Sequence, residues 1–170
     1  MTARGVLLLA VASVLACTMK PGSPPRTRRD GVQLVVVPAG AKRPDTGRPV
    51  VFAEIAADNA TRNRGLGGRD KIEKDAGMLF VYAQDTPHTF WMKDCLVALD
   101  IAFIGTDRRI LNVETLPAAA GLPAEAVPRA SSAGPGRWVL ETAAGWFEAH
   151  DLRAGDEVDL SAALVGVVAR

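Results

Sequence analysis

Leu99-Asp100-Ile101-Ala102-Phe103-Ile104-Gly105-Thr106-Asp107-Arg108-Arg109-Ile110-Leu111-Asn112-Val113-Glu114 reads as two strands joined by a turn. The first six residues are apolar except for Asp100, and Leu111 to Glu114 alternates apolar side chains with polar ones. Gly105-Thr106-Asp107-Arg108 between them supplies the residue types that let a chain reverse direction. The stretch is therefore a β-hairpin. Asp100 is an acid at the start of an otherwise apolar strand, so it needs a partner, with Lys93 or an arginine as candidates, because an unpaired buried charge is costly.

The same texture extends in both directions. Val32–Val37 is β-branched and ends at Pro38, and Val50–Ala56 is a second strand with Glu54 as its one charge. Gly77–Tyr82, Thr89–Lys93, Trp138–Glu141 and the end of Ala154–Leu160 continue the series. Two segments break it. Asp58 to Leu66 has an Asp or Asn cap, then Ala, Thr and Arg, then Gly65 as a stop, which suits a helix of about two turns. Gly145–His150 suits a single helical turn. Residues 115–136 hold many prolines and small residues and read as a long loop. Short strands at regular spacing with one or two brief helices predict a mainly β single domain, a sandwich or a barrel, over residues 32–170.

A length of 170 residues suits one compact domain, and 48% hydrophobic with 23% charged residues is globular composition. The amino terminus has the three parts of an export signal. Arg4 is a short positive region, Val6–Ala12 is an apolar run too short to span a bilayer, and Val14-Leu15-Ala16-Cys17 resembles a bacterial lipobox. The reading is a signal peptide over residues 1–16 and a mature chain starting at a lipidated Cys17. Residues 17–31 then form a flexible tether. Two or three acyl chains anchor stably where one would not. Thr18 after the cysteine leans towards an outer membrane, because the Asp often read there as an inner-membrane retention signal is missing. Arg4 is the only charge before Cys17, so 20 basic and 19 acidic residues become 19 of each in the mature chain. That balance gives no electrostatic reason to bind nucleic acid. With Cys17 a thioether, Cys95 has no intramolecular partner, and its expected role is that of a small buried hydrophobe.

No CxxC, HExxH, GxSxG, P-loop or GxGxxG pattern is present. His88 and His150 lie far apart on different elements, so no metal and no cofactor is expected. Two segments could carry chemistry. Arg62 to Arg69 combines arginine forks with glycines, which suits an anion, and equally suits a glycine-capped helix end with cations at the negative end of its dipole. His88 to Asp100 places Thr89, Trp91 and Lys93 on one strand face and Phe90, Met92 and Asp94 on the other. Trp91 beside Lys93 suits a ligand wall, or a core tryptophan with a snorkelling lysine.

Five blocks occur in order: Arg62-x-Arg64-Gly65-Leu66-x-Gly68-Arg69, Gly77–Val81, Phe90-Trp91-Met92-Lys93, Leu99-Asp100-Ile101-x-Phe103-Ile104, and Val139-Leu140-Glu141-x-x-x-Gly145. Together, across roughly Val50 to Leu160, they resemble the bacterial and archaeal family called domain of unknown function 192. The resemblance implies a compact, mainly β domain and no assigned activity. This chain departs from the family pattern in having Gly67 for Met, Asp94-Cys95 for Asn-Thr, Ala98 for Pro, and Arg129-Ala130-Ser131 for Tyr-x-Ser.

The leading functional expectation is a non-enzymatic envelope module that binds a small polar or anionic ligand, or an envelope partner. Its polar lining would be Glu54, Arg62, Arg64, Trp91, Lys93, Asp100 and Glu141. A hydrolase acting on envelope carbohydrate or peptide, with two of Glu54, Asp100 and Glu141 as paired carboxylates, is the second reading. A purely structural lipoprotein is the third.

Overall fold

The computed structural model describes residues 32–37, as a backbone strand, and residues 47–170. The segments read from the sequence as a signal peptide, a lipid-attachment Cys17 and a tether lie outside the described residues. The elements in chain order are β1 (Val32–Val37), β2 (Val50–Ala56), α1 (Asn59–Arg64) and β3 (Ala76–Thr86). Next come β4 (Thr89–Trp91), β5 (Leu99–Ile104), β6 (Ile110–Leu116) and β7 (Arg129–Ser131). β8 (Gly136–Ala143), α2 (Trp146–Ala149) and β9 (Glu157–Asp159) complete the fold, which is mainly β with two short helices, as expected.

Seven strands form one sheet in the order β6-β5-β8-β3-β2-β1-β9, and β4 with β7 forms a separate two-stranded sheet. Among these pairings only β2 with β3 is parallel, because the crossover through α1 returns the chain in the same direction. The expected hairpin is present. β5 pairs antiparallel with β6 from Leu99↔Leu116 to Ile104↔Ile110, and its turn is closed by Gly105 N–H donating to Arg109 O at 2.9 Å. Asp107 Oδ1 accepts from Arg109 N at 3.1 Å within the same turn.

The large sheet curls until its two edge strands meet at one end. Arg109 bridges Glu157, Ile110 N–H donates to Asp156 O at 2.9 Å, and Val158 N–H donates to Arg108 O at 2.8 Å. No continuous ladder joins β6 to β9, so the barrel is not closed. The inner face carries Val51, Leu79, Ala102, Ile110, Trp138, Leu140 and Val158, from β2, β3, β5, β6, β8 and β9. Trp146 and Phe147 of α2 pack into it, and Trp146 Nε1–H donates to Asp75 Oδ1 at 3.1 Å. On the outer face Met78, Phe80, Ile101, Phe103 and Val139 form a second core. The small sheet and the loops around it cover that face through Phe90, Met92, Cys95, Ala130 and Val127. β5 is buried along its whole length because both of its faces meet a core.

Asp100 and Thr142 pair across β5 and β8, and Thr142 pairs with Gly77. That row points inward, away from Lys93. Asp100 accepts from Thr115 Oγ1 at 2.7 Å and from Phe147 N at 3.1 Å. The expectation of a cationic partner is corrected: two neutral donors satisfy this acid, and its role is to hold α2 against the sheet.

Candidate functional site

The row one residue further along each strand points outward. Glu54 pairs with Met78, Met78 with Glu141, and Glu141 with Ile101, so both glutamates stand on the outer face. Their fates differ. Glu54 is held by Arg69, whose Nη1 and Nη2 donate to Oε1 at 2.8 Å and Oε2 at 3.0 Å. Glu141 forms the floor of a cleft of about 720 Å³ between α1 with its glycine turn and the chain from β4 to Cys95. Asp58 starts α1 with a capping box through Thr61, and Gly65 at φ 51° ends it. Gly68 N–H then donates to Asp94 O at 2.9 Å, tying the two walls together.

Glu141 is 6% exposed. The Leu66 amide lies near enough to pull on its carboxyl, but Oε2 has no hydrogen-bonding partner. Burial pushes its pKa up to about 8, against the smaller opposing pulls of the Leu66 amide and the Arg69 charge. A buried polar atom without a partner is rare enough in native folds to call for an explanation. Gly65 lies beside it, since a Cβ there would meet the Phe80 ring at 3.5 Å and Glu141 Oε2 at 3.8 Å. The walls are titratable as well. Burial, then the Arg62 and Glu141 charges in opposite directions, put Tyr82 up to about 12. Burial, Glu141 and Asp94 put the Cys95 thiol up to about 11. That thiol donates to Lys93 O at 3.7 Å, so it is a protonated wall group and not an activated nucleophile.

The cleft mouth is aromatic and cationic. Trp91 is 44% exposed, with Lys93 Nζ 5.3 Å and Arg129 Cζ 5.0 Å from its ring centroid. Arg129 sits there because β7 pairs with β4 in the register Trp91↔Arg129. Arg64 lines the same cleft. Among the described residues, none of Arg64, Lys93 and Arg129 forms an ion pair with a carboxylate.

Five of the seven expected lining residues, Arg62, Arg64, Trp91, Lys93 and Glu141, line this one cleft. Arg62 does so with its guanidinium engaged: it donates to Val81 O at 2.9 Å, to Asn59 Oδ1 at 2.7 Å and to Arg170 O. It also lies 5.1 Å from the Tyr82 ring centroid. Glu54 and Asp100 stand outside the cleft, one bound to Arg69 and the other on the inner face. Sequence reasoning missed Tyr82, Asp94, Cys95 and Arg129 as site residues. Asp94 and Cys95 belong to the aromatic block already singled out, whereas Arg129 lies in a stretch read as loop. Among the described residues no group of three or more His, Cys, Asp or Glu is placed to hold a metal.

A model of the family described as DUF192, Uncharacterized ACR, matches residues 41–160. The chain belongs to the DUF192 family. Two solved structures share its fold. One is a protein proposed to be a transcription regulator from Sinorhizobium meliloti 1021, 27% identical, with a TM-score of 0.64 over 75% of this chain and 92% of that one. The other is a protein of unknown function from Novosphingobium aromaticivorans DSM 12444, 29% identical, with a TM-score of 0.61 over 75% of this chain and 83% of that one. No curated protein matches the sequence. The αL conformation of Asp94, at φ 58°, suits the Asn of the DUF192 pattern as well as Asp, since both types tolerate that region. In the Tyr-x-Ser of the same pattern, Tyr corresponds to Arg129, so this DUF192 member has a cation against Trp91 at the place of an aromatic ring.

Proposed function

We propose that this chain is a non-enzymatic binding module that takes a small polar molecule into the cleft floored by Glu141. The observation that carries the reading is Glu141 Oε2, a buried carboxyl oxygen without a partner at the bottom of an aromatic-walled cleft. Convergent polar groups in a concave, partly apolar site of this size are the usual make-up of a ligand pocket. The hydrolase reading loses its geometry, because Glu54 is bound to Arg69 and Asp100 is on the opposite sheet face. Among the described residues, a nucleic-acid role finds no support in a helix long enough to enter a groove, since α1 has six residues and α2 four.

The module works outside the cytoplasm, tethered by lipid on Cys17 and facing the periplasm from the outer membrane. The Val14–Cys17 lipobox and Thr18 support this placement. The test is to purify the full chain in a non-ionic detergent from its native envelope and identify small molecules that co-purify, by mass spectrometry. Lys93→Ala and Glu141→Ala should each lower the recovered amount at least tenfold. A molecule retained equally by both variants would remove this cleft as the binding site.

A further inference from the structure

The charge on the cleft says which class of molecule it takes. Three cations, Arg64, Lys93 and Arg129, stand at or beside the mouth without a carboxylate partner among the described residues. These three like charges outnumber the one cleft-lining aspartate, Asp94, and their excess is relieved by a bound anion. Trp91, Phe80, Phe90 and Leu66 add apolar and aromatic wall. A volume of about 720 Å³ fits a molecule with a carbon body and exceeds the need of a bare inorganic ion.

Resting on the cleft reading above, we infer that the ligand is a small organic oxyanion, and that it binds while Glu141 carries its proton. The carbon body lies against the aromatic wall, and the oxyanion is held by Lys93 and Arg64 at the mouth. A protonated Glu141 beneath it is a neutral hydrogen-bond donor, whereas an ionised one would repel it. The surroundings of Glu141 agree from every side. On α1 and its turn, Arg62 is spent on backbone and Asn59 acceptors, Arg64 is free of carboxylates, and Arg69 is shared with Glu54 of β2. On β3 and the β4–β5 segment stand Tyr82 and Cys95, both held protonated, with Lys93 and Asp94. Burial opposes ionisation of Glu141, and the Arg69 charge favours it only in part. With Glu141 near pKa 8 in the empty cleft, binding an anion raises that value further and takes up a proton as pH approaches it.

The experiment uses the full chain in non-ionic detergent and four probes of similar shape: benzoate, phenyl phosphate, benzamide and benzylamine. Of the three tryptophans, Trp138 at 7% and Trp146 at 6% exposure are buried, so quenching of indole fluorescence reports mainly on Trp91. Binding is titrated from pH 6 to 9.5, with proton uptake measured by calorimetry in two buffers of different ionisation enthalpy. The expected result is saturable binding of benzoate or phenyl phosphate at least tenfold tighter than of benzamide and benzylamine at pH 6.5. Affinity then falls by up to about tenfold per pH unit above about pH 8. Which oxyanion wins separates a carboxylate from a phosphate ligand. Lys93→Ala and Arg64→Ala should each weaken binding several-fold, and Glu141→Gln should flatten the pH profile. Tightest binding by benzylamine, or a flat profile in the unaltered chain, overturns the inference. Binding of benzamide alone overturns it too and leaves the cleft reading standing, whereas failure of all four probes sinks both.

Discussion

At Glu141 burial and charge pull against each other, and burial prevails: the side chain is 6% exposed and its pKa is pushed up to about 8 from the ordinary carboxylate value of 4.5. Between those values the folded chain holds a proton that the unfolded chain has released, so this group makes stability fall as pH rises from about 4.5 through about 8 and level off beyond. Glu141→Gln removes that slope. Thermal melts should therefore place the variant above the unaltered chain at pH 8, by roughly 3 °C or more, with the gap closing towards pH 5. A gap of the same size at both pH values would refute the assignment. Asp100 makes the opposite case, an acid fully answered by Thr115 and Phe147 N. Asp100→Ala should cost about 2–4 kcal/mol in urea unfolding, since it strands a buried amide. Its effect on probe binding should be negligible while the chain stays folded. Both acids were visible in the sequence as isolated charges in apolar strands. Their opposite roles were not, because strand parity decides which face a side chain takes and cross-strand neighbours decide what it finds there.

Among the elements, the hairpin of β5 and β6 was legible because all its signals are local: an apolar run, a Gly-Thr-Asp turn, then alternation. The cap and stop of α1 were legible for the same reason. β7 was not, since Arg129-Ala130-Ser131 has no β-branched alternation and exists as a strand through its pairing with β4. That pairing brings Arg129 to Trp91, so the least legible strand supplies a cation at the site. The Thr89–Lys93 strand likewise stops at Trp91, where Cys95 N–H turns back to Met92 O at 3.1 Å. Gly77 limits how β3 and β8 can approach: a Cβ there would overlap the Glu141 carbonyl oxygen and come within 3.1 Å of Val51 Cγ1. Gly77→Ala should destabilise by about 2–3 kcal/mol in denaturant melts and weaken probe binding by displacing β8 beneath the cleft. A variant of unchanged midpoint would show that the two strands separate at little cost.

For the whole molecule, curling of the sheet sorts one set of alternating residues into an inner core and the other into an outer face that carries the cleft. Cys95 is a free, buried thiol, so a reducing agent should leave the melting temperature unchanged. Under the lipid-anchor proposal, Cys17→Ser should move the protein from the membrane to the soluble envelope fraction and abolish incorporation of labelled palmitate. Incorporation that survives the substitution would end that proposal. The sequence by itself determined what short-range chemistry can specify: the mainly β character, the hairpin, the cap and stop of α1, and the family through blocks of contiguous residues. Tertiary structure alone decided that Glu141 lies orphaned in a cleft while Glu54 is tied to Arg69 and Asp100 to α2. The reason is physical. Burial, and therefore protonation and availability to a ligand, depends on neighbours tens of residues away that only strand pairing and packing bring within reach.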